Sequence, residues 1–281
     1  VDAAMTAGLE AAVDRLEAVL ATHYRRSTLV LDGSRVTIDR DVTAIDTDGA
    51  HLHFGDAIIV ETAQDLLQVK TAIIACFDAF AEAGREVPIC VSVTIEQQGT
   101  MLVGSDIAAV ATTVEPFPVF SLGLNCATGP ADMESHIRYL SRFWPRRISC
   151  IPNQGLPQVV NGQTCYPLSP GEYARHMANF VTHNGVSIVG GCCGTSPTHI
   201  RELVNAVSDL TPAKRDVRPP AAVSSLYQSV DLVQDPPPLL IGERANPNGS
   251  KKFRECLLAD DFDGCLRIGL DQEAGGAQVL D

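Results

Sequence analysis

Between residues 57 and 208, short apolar runs alternate with amphipathic segments, and each apolar run ends in polar or thiol-bearing residues. The runs are Ala57–Thr62, Val87–Thr94, Phe117–Cys126, Arg147–Asn153 and Val186–Cys193. The segment from Thr62 to Ala83 carries Leu66, Leu67, Val69, Ile73, Ile74, Phe77 and Phe80 at helical spacing. A shorter helix is predicted from Ser105 to Val114. Another runs to about Phe143, with Thr128 or Gly129 as cap and Pro130 in its first turn. Ser169-Pro-Gly-Glu172 is a capping box opening a helix to about His183, and Ser196 starts a last one ending near Val207. Apolar strands alternating with amphipathic helices form parallel sheets. A doubly wound sheet loads functional residues only beside its crevice. Here all five runs end in them: Glu61-Thr62, Thr94, Asn125-Cys126, Asn153 and Cys192-Cys193. That pattern predicts an α/β fold of barrel type, whose strand ends converge on one face.

The flanks are less regular. Residues 1–56 read as a helix to Arg25, a strand with a turn over Ser27–Gly33, and a β-prone stretch over Val36–Phe54. A (β/α) barrel needs eight strands. At most six can be placed before Cys193, so the barrel is expected to be incomplete in its N-terminal half. Residues 209–238 hold Pro212, Pro219, Pro220, Pro236, Pro237 and Pro238 and read as a stiffened linker. Residues 239–281 then give a strand, a helix from Lys251 to about Ala274 and the start of a second strand. They read as the start of a second (β/α) barrel, and the whole as a piece of a longer chain. The expected divisions are therefore 1–56, 57–208, 209–238 and 239–281.

Charge and cysteine usage narrow the function classes. A net charge of −13 argues against nucleic acid as a partner, because nothing offsets phosphate repulsion. No run is long and apolar enough to cross a membrane, and the residues after Val1 lack a signal-peptide pattern. Nine cysteines in a chain of 281 residues do not suggest a disulfide scaffold; a reducing, cytoplasmic setting fits better.

Cysteine also marks the candidate site. Ser187-Ile-Val-Gly-Gly-Cys-Cys-Gly-Thr195 puts two thiols at one strand end, and Asn125-Cys126 puts a third at another. Glycines around the pair let neighbouring side chains face one ion. Three thiolates would make a zinc site with one position open to substrate. There an incoming thiol, with a free pKa of about 8.5, would be held as thiolate. No His-Glu-x-x-His pattern points to hydrolysis. Two other readings of the pair stand beside this one: simple packing, and a redox-active vicinal disulfide. Cys76, Cys90 and Cys150 lie in apolar stretches and read as small hydrophobes; Cys165, Cys256 and Cys265 receive no role.

Gly-Leu-Asn-Cys126, Pro-Asn153 and Gly-Gly-Cys-Cys-Gly-Thr195 resemble the homocysteine S-methyltransferase barrel family. Val60–Lys70, Gly99–Gly104, Asn125–Pro130, Ser224–Tyr227 and Ile241–Asn246 resemble its cobalamin-dependent branch, and the resemblance spans roughly residues 57–281. It implies Zn²⁺ on Cys126, Cys192 and Cys193, and homocysteine as the methyl acceptor, yielding methionine. It implies Glu61 on the substrate's amino group, Asn153 near the metal, and Asp32 as a further substrate contact. Glu243, Asn246 and Asp281 match part of a methyltetrahydrofolate (pterin) site. Methylcobalamin would be carried by a cobalamin-binding module outside this chain. Two departures stand out. Asp32-Gly33 is followed by Ser-Arg-Val-Thr instead of the family's Gly/Ala-Met-Gly-Thr, and only 27 residues separate Gly33 from Glu61. They leave open a non-catalytic reading, a zinc-binding fragment or assembly partner. An incomplete barrel would also expose strand edges and invite a homo-oligomer.

Overall fold

The computed structural model describes residues 27–31, 34–38, 44–45, 51–52, 57–84, 86–160 and 162–281. The helix expected before Arg25, and Asp32, lie outside the described residues. The chain divides into two compact units, Val1–Pro219 and Pro220–Asp281.

In the first unit the strands are β1 (Ser27–Leu31), β2 (Ser34–Ile38), β3 (Ala44–Ile45), β4 (His51–Leu52) and β5 (Ile58–Ala63). Then come α1 (Leu66–Ala83), β6 (Ile89–Val93), α2 (Ile107–Val114), β7 (Ser121–Asn125), α3 (Pro130–Phe143) and β8 (Arg147–Ile151). A hairpin of β9 (Gln158–Val160) and β10 (Gln163–Cys165) precedes α4 (Pro170–Asn184), β11 (Ile188–Val189) and α5 (Pro197–Val207).

Seven strands share one sheet in the order β2-β1-β11-β8-β7-β6-β5. From β5 to β11 the pairing is parallel and the spatial order follows the chain order. Right-handed crossovers added always in one direction stack their helices on one face of a sheet. Accordingly, each helix from α1 to α5 touches the next. A doubly wound sheet would reverse its order instead. β1 joins β11 antiparallel, with Val30 opposite Val189, and β2 closes a hairpin on β1. Among the described residues β2 and β5 remain the two edges, so the sheet is open.

Local chemistry sets the element ends. The helix expected from Thr62 begins at Leu66, because Thr62 takes a left-handed φ of 55° and Asp65 caps the Gln68 amide at 2.9 Å. Gly129 caps α3 with Pro130 in its first position, and the Ser169/Glu172 box opens α4 as its sequence predicts. Val91, Val93, Leu122, Leu124, Ile137, Leu140, Trp144 and Ile148 are completely buried between sheet and helices. Each such side chain contributes about 1.5–3 kcal/mol by leaving water.

Two expectations are corrected. The segment read as a loop between Gly155 and Leu168 carries the β9–β10 hairpin. The start of the proline-rich stretch is bonded to the elements before it. Ala213 N donates to Val181 O at 2.9 Å, and Arg218 N to Arg142 O at 2.9 Å. Arg215 donates to Trp144 O at 2.7 Å and Arg146 O at 2.6 Å, satisfying carbonyls past the end of α3. The single helix expected over Lys251–Ala274 is two.

The second unit holds a short hairpin, β12 (Ala222–Ser224) and β13 (Ser229–Asp231), then β14 (Ile241–Gly242), α6 (Lys251–Leu258), α7 (Phe262–Ala274) and β15 (Val279–Leu280). Asp260, at φ 53°, turns the chain after α6, and Asp261 starts α7 by accepting from Gly264 N at 2.8 Å. β14 and β15 pair in parallel. Among the described residues no helix is long and apolar enough to cross a membrane.

Candidate functional site

The C-terminal ends of β5, β7, β8 and β11 meet at three sulfurs. Cys126 follows β7, and its amide donates to Ile151 O at 3.2 Å, extending that strand's pairing with β8. Cys192 follows β11, where Gly190 N donates to Cys150 O at 3.2 Å and Cys192 N to Pro152 O at 2.9 Å. The expected long strand over Val186–Cys193 is thus a two-residue ladder continued by single backbone bonds.

Cys126 Sγ and Cys193 Sγ are 3.8 Å apart, and Cys192 Sγ and Cys193 Sγ 3.9 Å. All three ligand atoms lie within 4.8 Å of one another, and every thiol is free. Sulfurs bound tetrahedrally at about 2.3 Å from zinc stand about 3.8 Å from each other. A disulfide would need about 2.05 Å. The donor chemistry and the spacing therefore both fit a three-thiolate zinc site.

Protons are shared unequally in this cluster. A hydrogen bond from the Cys192 thiol holds Cys126 down to about 5, against the opposing effect of burial. The same bond pushes Cys192 up, and burial pushes Cys193 up. One thiolate forms readily, and a cation would be needed to ionise all three.

The backbone is strained where it carries these groups. Thr62, Cys126 and Ala127 have φ of 55°, 61° and 55°, a region that side chains rarely adopt. Asn125 supports the first of them. Its Oδ1 accepts from Thr62 N at 3.1 Å and Ser92 Oγ at 2.7 Å, and its Nδ2 donates to Thr62 Oγ1 at 2.7 Å. Its own carbonyl accepts from Thr94 Oγ1 at 3.2 Å. Gly194 takes a φ of 79°, and a Cβ there would run into the Tyr166 ring. Glycine is therefore required beside the cysteine pair.

Asn153 is 3% exposed; its Oδ1 accepts from Cys193 N at 3.1 Å and its side chain reaches Cys126. Glu61 lies at the end of β5. Burial, and after it the negative charge of Cys126, push its carboxyl up to about 7. The structure thus brings Glu61, Asn153 and the three cysteines together, while Asp32 falls outside the described residues. Cys76, Cys90 and Cys150 are all buried; Cys76 and Cys150 belong to the apolar core, as their sequence context predicts, while Cys90 also meets the Ser121 hydroxyl.

Sequence reasoning missed several supports. Tyr173, 0% exposed, donates its hydroxyl toward Pro152 O at 3.0 Å and Gly190 O at 2.8 Å, tying the ends of β8 and β11. Its place on the core face of α4 was readable, since a buried hydroxyl needs a partner. Gln154 links the hairpin to the cysteines, with its amide on Cys193 O at 2.9 Å and Nε2 on Leu168 O at 2.5 Å. Tyr166, just past β10, lays its ring against Gly194 beside the cysteine pair, and nothing in its local sequence marks it.

In the second unit Asn246 Nδ2 donates to Asp281 Oδ2 at 3.0 Å. Glu243 lines a neighbouring cavity of about 540 Å³ with Arg244, Ser250, Lys252 and Gln272.

A homocysteine S-methyltransferase family profile matches residues 45–207. Methionine synthase of Mycobacterium tuberculosis is 50% identical over 226 residues, covering 80% of this chain and 19% of that protein. Methionine synthase of Mycobacterium leprae is 48% identical over 231 residues, with the same coverages of 80% and 19%. The chain thus spans about a fifth of the length of these curated relatives, 19% in each case. The crystal structure of the homocysteine methyltransferase MmuM from Escherichia coli, apo form, aligns with a TM-score of 0.42 at 19% identity, over 54% of this chain and 49% of that one.

Proposed function

This chain belongs to the homocysteine S-methyltransferase family, and we propose that its first unit is the homocysteine-activating part of a cobalamin-dependent methionine synthase. The observation that carries this reading is the sulfur triangle of Cys126, Cys192 and Cys193, with separations of 3.8 and 3.9 Å that match a tetrahedral zinc site. Zinc held there would supply a Lewis-acidic position at which a substrate thiol is kept as thiolate.

The surrounding residues take separate jobs. Glu61, ionised, is the partner for the ammonium of homocysteine. Asn153 accepts from the Cys193 amide and its side chain reaches Cys126, which ties the two ligand-bearing segments together. Asn125 fixes the backbone on which Glu61 and Cys126 sit. Asp32 is proposed as a further substrate contact. The chain-ordered parallel strands belong to part of a (β/α) barrel whose remaining wall this reading leaves to other residues. Methylcobalamin, carried by a module outside this chain, would supply the methyl group. Glu243, Asn246 and Asp281 are part of a methyltetrahydrofolate site at the start of a second barrel; the Asn246–Asp281 bond supports that pairing.

A second reading, a zinc-binding fragment or assembly partner without transfer activity, is favoured by the open sheet edges at β2 and β5. Such edges also offer a route to a homo-oligomer. One assay separates the readings. The purified chain is measured for zinc, then given homocysteine and free methylcobalamin. One zinc per chain, lost in Cys126→Ser, together with methionine formation supports the enzyme. Zinc without methionine favours the second reading. A metal-free protein indifferent to Cys126→Ser overturns both.

A further inference from the structure

The chain delivers Cys192 to the sulfur cluster across two glycines. β11 ends at Val189, and Gly190 and Gly191 then lead to Cys192 with the widest conformational freedom a backbone has. A stiffer residue does not fit at Gly191, because an added Cβ would stand 2.7 Å from Thr195 Oγ1. The segment must therefore take its rigidity from outside. Gly190 N donates to Cys150 O at 3.2 Å and Cys192 N to Pro152 O at 2.9 Å, which fixes two of its amides at the end of β8. The Gly190 carbonyl, which lies between those amides in the chain, is met by Tyr173.

The Tyr173 hydroxyl stands 2.8 Å from Gly190 O and 3.0 Å from Pro152 O. A phenol has one proton, so the two carbonyls share it. Pro152 O is also the atom that accepts from Cys192 N, so one side-chain oxygen touches both carbonyls that frame the approach to Cys192. Packing alone would be served by phenylalanine at this completely buried position, and a buried hydroxyl is unfavourable unless it is bonded. The ring itself is held at both ends. Its backbone amide makes an early bond of α4, to Ser169 O at 2.9 Å. His199, near the start of α5, meets the ring edge-on with centroids 6.0 Å apart and planes at 88°. The two nitrogens of His199 are in turn engaged, by Leu168 O at 3.1 Å and Ser196 Oγ at 2.8 Å.

We infer that Tyr173 is a positioning residue: its hydroxyl fixes the peptide between Gly190 and Gly191 and so holds Cys192 Sγ in the sulfur triangle. The use of that triangle for metal rests on the zinc reading above, whereas the positioning is a property of the metal-free chain. The other two sulfurs are anchored elsewhere. Cys126 N donates to Ile151 O at 3.2 Å, and Cys193 N to Asn153 Oδ1 at 3.1 Å. Removing the hydroxyl therefore loosens Cys192 selectively and leaves Cys126 and Cys193 in place.

The test compares the full chain with Tyr173→Phe, which keeps the ring against His199 and removes only the hydroxyl. Phe180→Leu is the packing control: Phe180 is buried on the same helix, and its loss lowers stability without removing a bond to either carbonyl. Metal-free protein is first treated with N-ethylmaleimide, and alkylation of each cysteine is followed by peptide mass spectrometry. In Tyr173→Phe, Cys192 should react several-fold faster relative to Cys193, while Phe180→Leu keeps the wild-type ratio. Each protein is then titrated with Co²⁺. Tyr173→Phe should bind it about ten-fold or more weakly, with a weaker sulfur-to-cobalt absorption, and Phe180→Leu as the wild type does. A wild-type alkylation ratio in Tyr173→Phe, or the same change in Phe180→Leu, overturns the inference whatever the metal does. Wild-type cobalt affinity and absorption in Tyr173→Phe overturn it as well. If the wild-type protein takes up no cobalt while Tyr173→Phe still exposes Cys192, the zinc reading fails and the positioning role stands.

Discussion

Asn125 and Thr62 hold each other from both sides: the Thr62 amide donates to Asn125 Oδ1 at 3.1 Å, and Asn125 Nδ2 donates to Thr62 Oγ1 at 2.7 Å. Thr62 directly follows Glu61, and Asn125 directly precedes Cys126. Two bonds between their neighbours therefore set the spacing of two candidate site residues, Glu61 on β5 and Cys126 directly after β7.

Asn125→Ala should cost both stability and metal. It leaves Thr62 N–H and the buried Ser92 Oγ without their partner, and a buried unsatisfied group such as the serine hydroxyl costs about 1–3 kcal/mol. It also releases Thr62 from its left-handed φ of 55°. Urea unfolding should show a lower midpoint, and zinc content at a fixed chelator concentration should fall. An unchanged midpoint would mean that water replaces the carboxamide without loss.

Each of Cys126→Ser, Cys192→Ser and Cys193→Ser should lose zinc, because a hydroxyl is not ionised at neutral pH and does not replace a thiolate ligand. Cys150→Ala is the control. Cys150 is completely buried, and its thiol packs at 4.0 Å from Met133 Sδ. That variant should be less stable but keep its metal. Metal analysis after dialysis reads both outcomes; zinc retained in Cys192→Ser would exclude that residue as a ligand.

The carboxyl of Glu61 sits at about 7, raised by burial and then by the Cys126 charge. A raised carboxyl is neutral below its pKa, so its pairing with a substrate ammonium disappears as pH falls through about 7. The homocysteine kcat/KM should fall over that range, and Glu61→Gln should flatten the limb while raising KM. In stability the sign is reversed. The folded state holds this proton more tightly than the unfolded chain does, so Glu61 favours folding below the usual carboxylate range. That contribution fades as pH rises toward about 7. A wild-type profile that persists in Glu61→Gln would place the titrating group elsewhere.

Gly194→Ala should damage the site more than the fold. Its φ of 79° is strained for alanine, and the added Cβ meets the Tyr166 ring. The loop must shift, moving Cys193 and the tyrosine together. The expected result is weaker metal retention with a change in the unfolding midpoint worth about 1–3 kcal/mol. Gly171→Ala, where nothing lies within 4 Å of the added carbon, should leave metal retention unchanged.

The alternation of apolar runs with amphipathic helices was legible because burial imposes periodicity on local sequence. So were the Ser169/Glu172 box and the cysteines at strand ends. Caps and buried thiols act through neighbours close in the chain, and such effects are written locally. Sequence also erred where a local choice competed with a longer pattern. Asp260 and Asp261 broke one predicted helix into two, since an aspartate that caps is stronger than a weak helical period.

What lay beyond the sequence was everything that depends on distance. The strands could be counted, but that β5 to β11 stand in chain order while β1 joins antiparallel required the folded sheet. The cysteines could be named, but only three dimensions bring sulfurs 66 and 67 residues apart in sequence to a common 4.8 Å neighbourhood. Residue type by itself determined which groups can bind a metal. Tertiary structure decided their spacing, their shared protons and the approach of Tyr166, because these arise from packing between segments that no local pattern relates.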